Sequence, residues 1–121
     1  MQQKTLFFIL ALIFLTSCQL KEEWRFVGET KNWRVVYEVE KREQSSKLTI
    51  EYIGEKPIPK EIGYRIETTS NSSTKLGKLN EHGVFTIKDE GCKGCHELNE
   101  IPAAIEWERQ IELFTLHLEE E

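Results

Sequence analysis

Residues 33–39 read Trp-Arg-Val-Val-Tyr-Glu-Val, and this stretch decides the fold class. Aromatic and β-branched side chains occupy every second position from Trp33 to Val39, while Arg34 and Glu38 stand between them. A repeat of two residues is that of a β-strand, because successive side chains of an extended backbone point to opposite faces. We therefore predict a strand whose core face carries Trp33.

The same alternation continues towards the C-terminus. Leu48, Ile50 and Tyr52 alternate with polar residues until Gly54 ends the run, and two prolines mark the loop that follows. Further runs of this kind are separated by turn-forming residues. The strands predicted downstream of the first are residues 48–52, 62–66, 75–79, 84–88, 101–107 and 111–118.

Residues 103–118 also fit a helix, since apolar residues from Ala104 to Leu118 recur at helical spacing. Pro102 lies within the run, and no residue before it is a convincing N-cap, which favours strands. Strands are our prediction for this segment, and the helix is the alternative.

Seven to eight short strands at intervals of about ten residues, with no convincing helix, predict an all-β protein. We expect an antiparallel β-sandwich of immunoglobulin-like architecture over residues 24–121. The likeness concerns architecture alone, because the inter-sheet disulfide of antibody domains joins cysteines far apart in sequence. The residues predicted to fill the core are Trp33, Val35, Tyr37, Leu48, Ile50, Tyr52, Ile66, Phe85, Ile105 and Trp107.

The N-terminal residues form a separate segment. Lys4 is followed by a ten-residue apolar run from Leu6 to Leu15, which is too short to span a bilayer. A basic residue, a short apolar run and small residues make up a secretory signal. The run closes in Leu15-Thr16-Ser17-Cys18, which resembles the lipobox of bacterial lipoproteins.

The lipobox resemblance implies that the thiol of Cys18 carries a diacylglyceryl group and that the signal peptide, residues 1–17, is removed. Residues 18–23 are then a short tether with a reach of roughly 20 Å. The lipid would hold the domain on the extracytoplasmic face of the cell membrane. A transmembrane anchor, or a cleaved signal with an incidental cysteine, is the alternative.

The charge distribution bears on the partner. The net charge is -5, with 16 Lys and Arg against 21 Asp and Glu. Basic residues are interleaved with acidic ones, as in Glu40-Lys41-Arg42-Glu43, whereas a nucleic-acid binder needs a basic patch. We expect no nucleic-acid partner, and an envelope protein or cell-wall component instead. No Ser/His/Asp order or glycine-rich phosphate loop stands out, so we expect no enzymatic activity.

Cys92-Lys93-Gly94-Cys95-His96 is the one cluster that suggests specific chemistry. Outside the cytoplasm two neighbouring thiols are expected to be oxidised, so we predict a Cys92–Cys95 disulfide that clips a hairpin turn. The same residues fit the C-x-x-C-H signature of covalent haem c, in which both thiols bond to the porphyrin and His96 binds the iron.

Other ligand sets remain open for this cluster. Met1 is the only methionine, so the second axial ligand of a haem iron would be His82 or His117. The same two histidines would complete a zinc site with Cys92 and Cys95. A thioredoxin-like redox pair is a further alternative, although no βαβ pattern surrounds it.

Several short motifs together resemble a group of small uncharacterised lipoproteins of Gram-positive spore-forming bacteria. The resemblance implies a location and a fold but no activity. It also implies that His96 is incidental, because the paired cysteines of that group are not always followed by a histidine. Besides the lipobox, the motifs are Gly28-Glu29-x-x-Asn32-Trp33, Ile50-x-Tyr52-x-Gly54, Gly91-Cys92-x-Gly94-Cys95 and Ile105-Glu106-Trp107.

These observations lead to one expected function and one alternative. We expect a lipid-anchored, non-catalytic binding or structural module of the cell envelope, with no cofactor or metal. The alternative is a membrane-tethered electron carrier whose covalent haem is held by Cys92, Cys95 and His96.

Overall fold

The computed structural model describes residues 23–40, 45–68, 72–92 and 94–119, with only the backbone of His96. The predicted signal peptide, the predicted lipidation site Cys18 and most of the predicted tether therefore lie outside the described residues. Within these ranges, no helix is long and apolar enough to cross a membrane. The elements are β1 (Glu23–Glu29), β2 (Trp33–Glu40), β3 (Ser45–Tyr52), β4 (Glu61–Ile66), β5 (Lys75–Lys78), β6 (Val84–Glu90), a 3₁₀ turn (Cys95–Glu97), β7 (Glu100–Trp107) and β8 (Gln110–Leu118).

The eight strands form one antiparallel sheet in the order β5-β4-β7-β8-β1-β2-β3-β6, which curls until it is nearly a barrel. The predicted all-β class is confirmed, but the immunoglobulin-like sandwich is not. One sheet forms instead of two because β8 pairs with β1, through Phe26 opposite Leu118 and Val27 opposite His117. This pairing joins the first three strands to the last two without a break.

Strand β1 was not among the strands predicted from the sequence. Its inward positions are occupied by Trp24, Phe26 and Gly28, so the apolar alternation is lost at the third of them. A Cβ atom on Gly28 would lie 2.6 Å from Leu116 Cδ2 and 2.9 Å from the carbonyl oxygen of Thr115. Glycine is therefore needed at this position, since β1 and β8 approach too closely there for any side chain.

The segment for which a helix was the alternative consists of strands β7 and β8, as predicted. Pro102 lies inside β7, where it is opposite Thr115. Its carbonyl oxygen accepts a hydrogen bond from the N–H of Glu67, just beyond the end of β4. In an antiparallel strand the N–H and C=O of one residue point to the same neighbouring strand, so an N–H at position 102 would point towards β4 and not towards β8. The proline therefore removes no hydrogen bond from the ladder with β8.

The interior of the barrel is apolar, and the predicted core is largely confirmed. Trp33 is fully buried and makes edge-on contacts with Tyr52 and Trp107, at ring-centroid distances of 5.0 and 5.3 Å. Of the predicted core, Tyr52, Ile66 and Phe85 are only partly buried. Members of the buried core cluster that the prediction did not include are Phe26, Val39, Ile62, Tyr64, Cys95, Ile101, Ala103 and Leu116.

Two long connections pass the ends of the barrel. Residues 53–60 join β3 to β4 at one end, and residues 91–99 join β6 to β7 at the other. We call the second the cysteine end, since it carries Cys92 and Cys95. The register places Glu23 opposite Glu40 and Ser45 opposite Glu90, so β1 also begins at the cysteine end.

Candidate functional site: the seam between β5 and β6

The barrel wall is interrupted between the edge strands β5 and β6. They are joined by residues 79–83, where the N–H of Asn80 donates to the carbonyl oxygen of Val84 at 3.0 Å. Beyond this turn, neither strand pairs with the other in the part of the chain that the structure describes. We call the space between their facing edges the seam.

Side chains bridge the seam where backbone hydrogen bonds would otherwise do so. The ring of Phe85 lies against Gly77, and a Cβ atom on Gly77 would be 3.0 Å from that ring. Phe85 also packs on Tyr64, with ring centroids 5.3 Å apart. Nearer the cysteine end, Lys75 Nζ is 3.7 Å from Asp89 Oδ2. The seam is therefore filled by Phe85 near the turn and open to entry beside the ion pair.

A cleft of about 410 Å³ occupies the seam at the cysteine end. Residues of β2, β3, β4, β5 and β6 contribute to its wall, together with the segments that flank them. It combines an apolar lining with hydroxyl groups and a few charges. The lining residues are Tyr37, Ser46, Leu48, Tyr64, Ile66, Thr68, Ser73, Lys75, Ile87, Asp89, Glu90 and Gly91.

Ile87 is exposed to solvent in the cleft although its side chain lies on the inner face of the sheet. It points into the barrel, because it lies opposite Leu48 on the face that also carries Phe85. Leu48 is 5% exposed, whereas Ile87 is 37% exposed. The difference in exposure arises because Leu48 is on β3, which has β2 on one side and β6 on the other. Ile87 is on the edge strand β6, which has no paired strand on the seam side. An inward-facing apolar side chain is thus accessible from solvent.

Two phenols give the cleft hydrogen-bonding capacity. Burial raises the pKa of Tyr37, a hydrogen bond with Ser46 lowers it, and the Asp89 carboxylate raises it. Burial and the same carboxylate also raise the pKa of Tyr64. Both phenols are therefore neutral near pH 7 and can donate hydrogen bonds. Ser46 Oγ donates to the carbonyl oxygen of Glu90 at 2.8 Å, which fixes the cleft's rim.

Cys92 and Cys95 lie beside the cleft, in the segment that follows Gly91. Their Cα atoms are 5.5 Å apart and their sulfur atoms are at disulfide distance. The predicted hairpin turn is wrong, because β6 and β7 are not neighbours in the sheet. The cysteines instead lie in the connection across the barrel end, where Gly94 has a φ of 78°. Cys95 is fully buried in the core, so this connection plugs the barrel.

The two histidines considered as additional ligands are not brought to the cysteines. His82 lies in the turn between β5 and β6, at the end of the barrel opposite Cys92, with Glu81 3.5 Å away. His117 is on the outer face of β8, 3.6 Å from Glu100. Among the described residues, no group of three or more His, Cys, Asp or Glu side chains could hold a metal ion. The zinc set predicted as an alternative is therefore not assembled.

Removing the cysteine pair is expected to have a modest effect on stability. A bridge closing a four-residue loop contributes about 2 kcal/mol in the chain-entropy model. We expect the Cys92→Ala, Cys95→Ala double variant to lose about this much free energy of unfolding, measured by urea denaturation. Wild-type protein treated with a reductant should lose a similar amount. As a control, the reductant should leave the double variant unchanged.

Alkylation of the unfolded protein before reduction tests the same bond directly. A disulfide leaves both cysteines unlabelled, and two added labels would contradict it. The visible spectrum of protein made in a host that attaches haem serves as a second check. A Soret band would contradict the disulfide, since both thiols would then be bonded to porphyrin.

The cleft differs from the sites that the sequence suggested. Tyr37, Leu48 and Ile66 were identified only as core or inward-facing residues, and Lys75 and Asp89 were not singled out. The available signal was the short run 75–79, predicted as a strand, with its glycine and flanking lysines, since these are typical of an edge strand. The facing edge, β6, had no such signal.

Two residues of the motifs on which the predicted lipoprotein resemblance rests, Asn32 and Gly54, have structural explanations at the end of the barrel opposite the cysteines. Asn32 Nδ2 donates to Glu112 Oε1 at 3.0 Å, and a Cβ atom on Gly54 would collide with Asn32 and Tyr52. The resemblance to that lipoprotein group stays a prediction. Comparison of the chain with protein-family models, curated proteins and solved structures finds no match.

Proposed function

We propose that this protein is a lipid-anchored extracytoplasmic lipoprotein that acts as a non-catalytic binding module of the cell envelope, with the seam cleft as its binding site. The observation that carries the proposal is the 37% exposure of Ile87 on the inner face of the sheet. An apolar side chain in that position is stabilised when a ligand replaces the missing wall, because burial removes its apolar surface from water.

The position of β1 supports a role close to the membrane. Glu23 lies at the cysteine end, the same end at which the cleft opens. The tether from Cys18 to Glu23 reaches roughly 20 Å when fully extended. A lipid on Cys18 would therefore keep the cleft near the membrane surface, where it would meet membrane-associated or wall-associated ligands.

The chemistry of the cleft supports binding rather than catalysis. Its cationic residue, Lys75, is paired with Asp89 across the seam. Burial and the Asp89 carboxylate raise the pKa of both phenols, which favours their neutral form as hydrogen-bonding groups over the phenolate that a nucleophile would require. Hydroxyl donors over an apolar floor of Leu48, Ile66 and Ile87 suit recognition of a ligand with both polar and apolar groups.

The haem alternative receives no support from the arrangement of the thiols. Cys95 is fully buried in the core of the barrel. Covalent attachment of a porphyrin would require its sulfur to leave the core. The binding module is therefore the function that we propose.

Photo-crosslinking in intact cells tests the binding role of the cleft. We expect a photoreactive amino acid in place of Ile87 to give a discrete crosslinked product of higher mass. Lys47 is the matched control position, because it is exposed on the outer face of neighbouring strand β3. Identical products from both positions, or none from position 87, would contradict the proposal.

A further inference from the structure

We propose that the cleft binds an extended polypeptide segment, which adds to the edge of β6 as an extra strand within the seam. This inference rests on the binding role proposed above and names the chemical class of the ligand. It follows from the direction in which the backbone groups of β5 and β6 point.

On β6, alternate residues direct their backbone groups into the seam. The N–H of Tyr52 donates to the carbonyl oxygen of Gly83, so this pair is a hydrogen-bonded pair of the antiparallel ladder. The register then makes Phe85, Ile87 and Asp89 the residues that bond to β3. Thr86 and Lys88 face away from β3, and their N–H and C=O groups point into the seam.

On β5 the same reasoning identifies the facing groups. The N–H of Leu79 donates to the carbonyl oxygen of Lys60, so these two residues form a hydrogen-bonded pair of the antiparallel ladder. Because hydrogen-bonded pairs alternate along such a ladder, the backbone groups of Gly77 and Lys75 also bond to β4. Leu76 and Lys78 therefore direct their backbone groups into the seam. Two strand edges thus face each other with donors and acceptors that a strand can pair with.

The side chains of the cleft fit a segment in the extended conformation. In a strand, every second side chain points to the same face, so a segment beside β6 would place one side chain next to Ile87 and another next to Asp89. An apolar residue suits the first position and a basic residue suits the second. The Lys75–Asp89 ion pair is partly exposed, and such pairs contribute little, so it can open to admit the segment.

A second copy of this chain fits the seam less well than a foreign peptide. Lys78 and Lys88 flank the two edges with exposed side chains. Edge-to-edge pairing of two copies would bring like charges together, which is a common way in which proteins prevent such pairing. A small molecule would fill the cleft but leave the facing backbone groups unpaired. Extended peptide is therefore the ligand that satisfies both sets of groups.

Selection from a displayed library of random short peptides on the full-length protein in detergent micelles tests this inference. We expect enriched peptides to carry an apolar residue and a basic residue two positions apart, in the order set by the direction in which the segment runs along β6. Thr86→Pro removes an N–H that faces the seam and no hydrogen bond to β3. It should weaken binding of an enriched peptide by about tenfold, as expected for a lost hydrogen bond.

Three further comparisons make the test specific. Lys47→Ala is the matched control, because it removes an exposed lysine side chain from the outer face of β3 and touches no backbone group of the seam, so it should leave affinity unchanged. Peptides N-methylated at alternate amides should lose binding in both phases of methylation, because the amides of one phase face β6 and those of the other phase face β5. Amide hydrogen exchange at Thr86 and Lys88 of the wild-type protein should slow when peptide is added. This measurement does not depend on whether the Thr86→Pro variant folds.

The inference would be overturned if no peptide is enriched, or if enriched peptides bind the Thr86→Pro protein as well as the wild type without slowing exchange at Thr86 and Lys88. Self-association of the wild type that Thr86→Pro abolishes would overturn it in favour of a second copy. If peptides fail while the crosslink at Ile87 persists, the binding role stands and only the ligand class is wrong. Loss of that crosslink would remove the proposed function itself.

Discussion

Replacing Trp33 with alanine is expected to lower the free energy of unfolding by about 3 to 5 kcal/mol, the range for truncating a buried tryptophan. The side chain is fully buried and contacts both Tyr52 and Trp107 edge-on. Its removal would leave a cavity in the core of the barrel. The paired strands around the core limit how far this cavity can collapse, so most of the lost packing is not recovered. For a domain of this size, the melting temperature should fall by roughly 15 to 30 °C.

Trp33→Phe is the matched control for this substitution. The indole Nε1 of Trp33 is buried and has no hydrogen-bond partner among the described residues. Phenylalanine keeps most of the aromatic contact and removes the unpaired N–H, whose burial is itself unfavourable. We expect a much smaller loss of stability than for alanine, measured by thermal and urea denaturation. Equal losses for the two variants would contradict the packing role assigned to the ring.

Replacing Cys18 with alanine is expected to abolish lipidation and to remove the protein from its mature membrane-bound form. Two acyl chains anchor a protein stably, whereas one gives only marginal binding. The variant should appear as released protein or as a precursor that retains residues 1–17. Fractionation of cells, followed by the intact mass of the protein, measures both outcomes.

Cys92→Ala provides the control for the anchor experiment, since this cysteine belongs to the folded domain and not to the lipobox. It should fractionate with the membrane and carry the same lipid mass as the wild type. If Cys18→Ala also remains in the membrane and migrates like the wild type, the anchor assignment is wrong. The result would leave the seam cleft in place but remove the argument that it lies near the membrane.

The strands and their inward faces could be predicted because alternation is a local property of an extended backbone. Trp33, Val35 and Tyr37 face the core as their spacing indicates. The spacing of Cys92 and Cys95 likewise predicted that the two residues lie close together. Strand β1 escaped prediction because Gly28, which the close approach of Leu116 requires, interrupts the apolar pattern.

The choice between two sheets and one curled sheet depended on which strands pair. Alternation marks which face of a strand is buried, and that face is the same in a sandwich and in a barrel. The pairing of β8 with β1 is a contact between distant parts of the chain, and no local pattern encodes it. The sandwich was therefore predicted from strand number and spacing, which several β architectures share.

The sequence by itself determined the extended segments, their core faces, the lipobox-like N-terminus and the proximity of Cys92 to Cys95. Only the tertiary structure decided that β5 and β6 face each other without pairing, and that Ile87 is exposed within the barrel wall. Exposure of an inward side chain depends on whether another strand lies beside it. That neighbour is fixed by the curvature of the whole sheet, so the sequence can mark residues 75–79 as an edge strand but does not indicate which strand faces them across the seam.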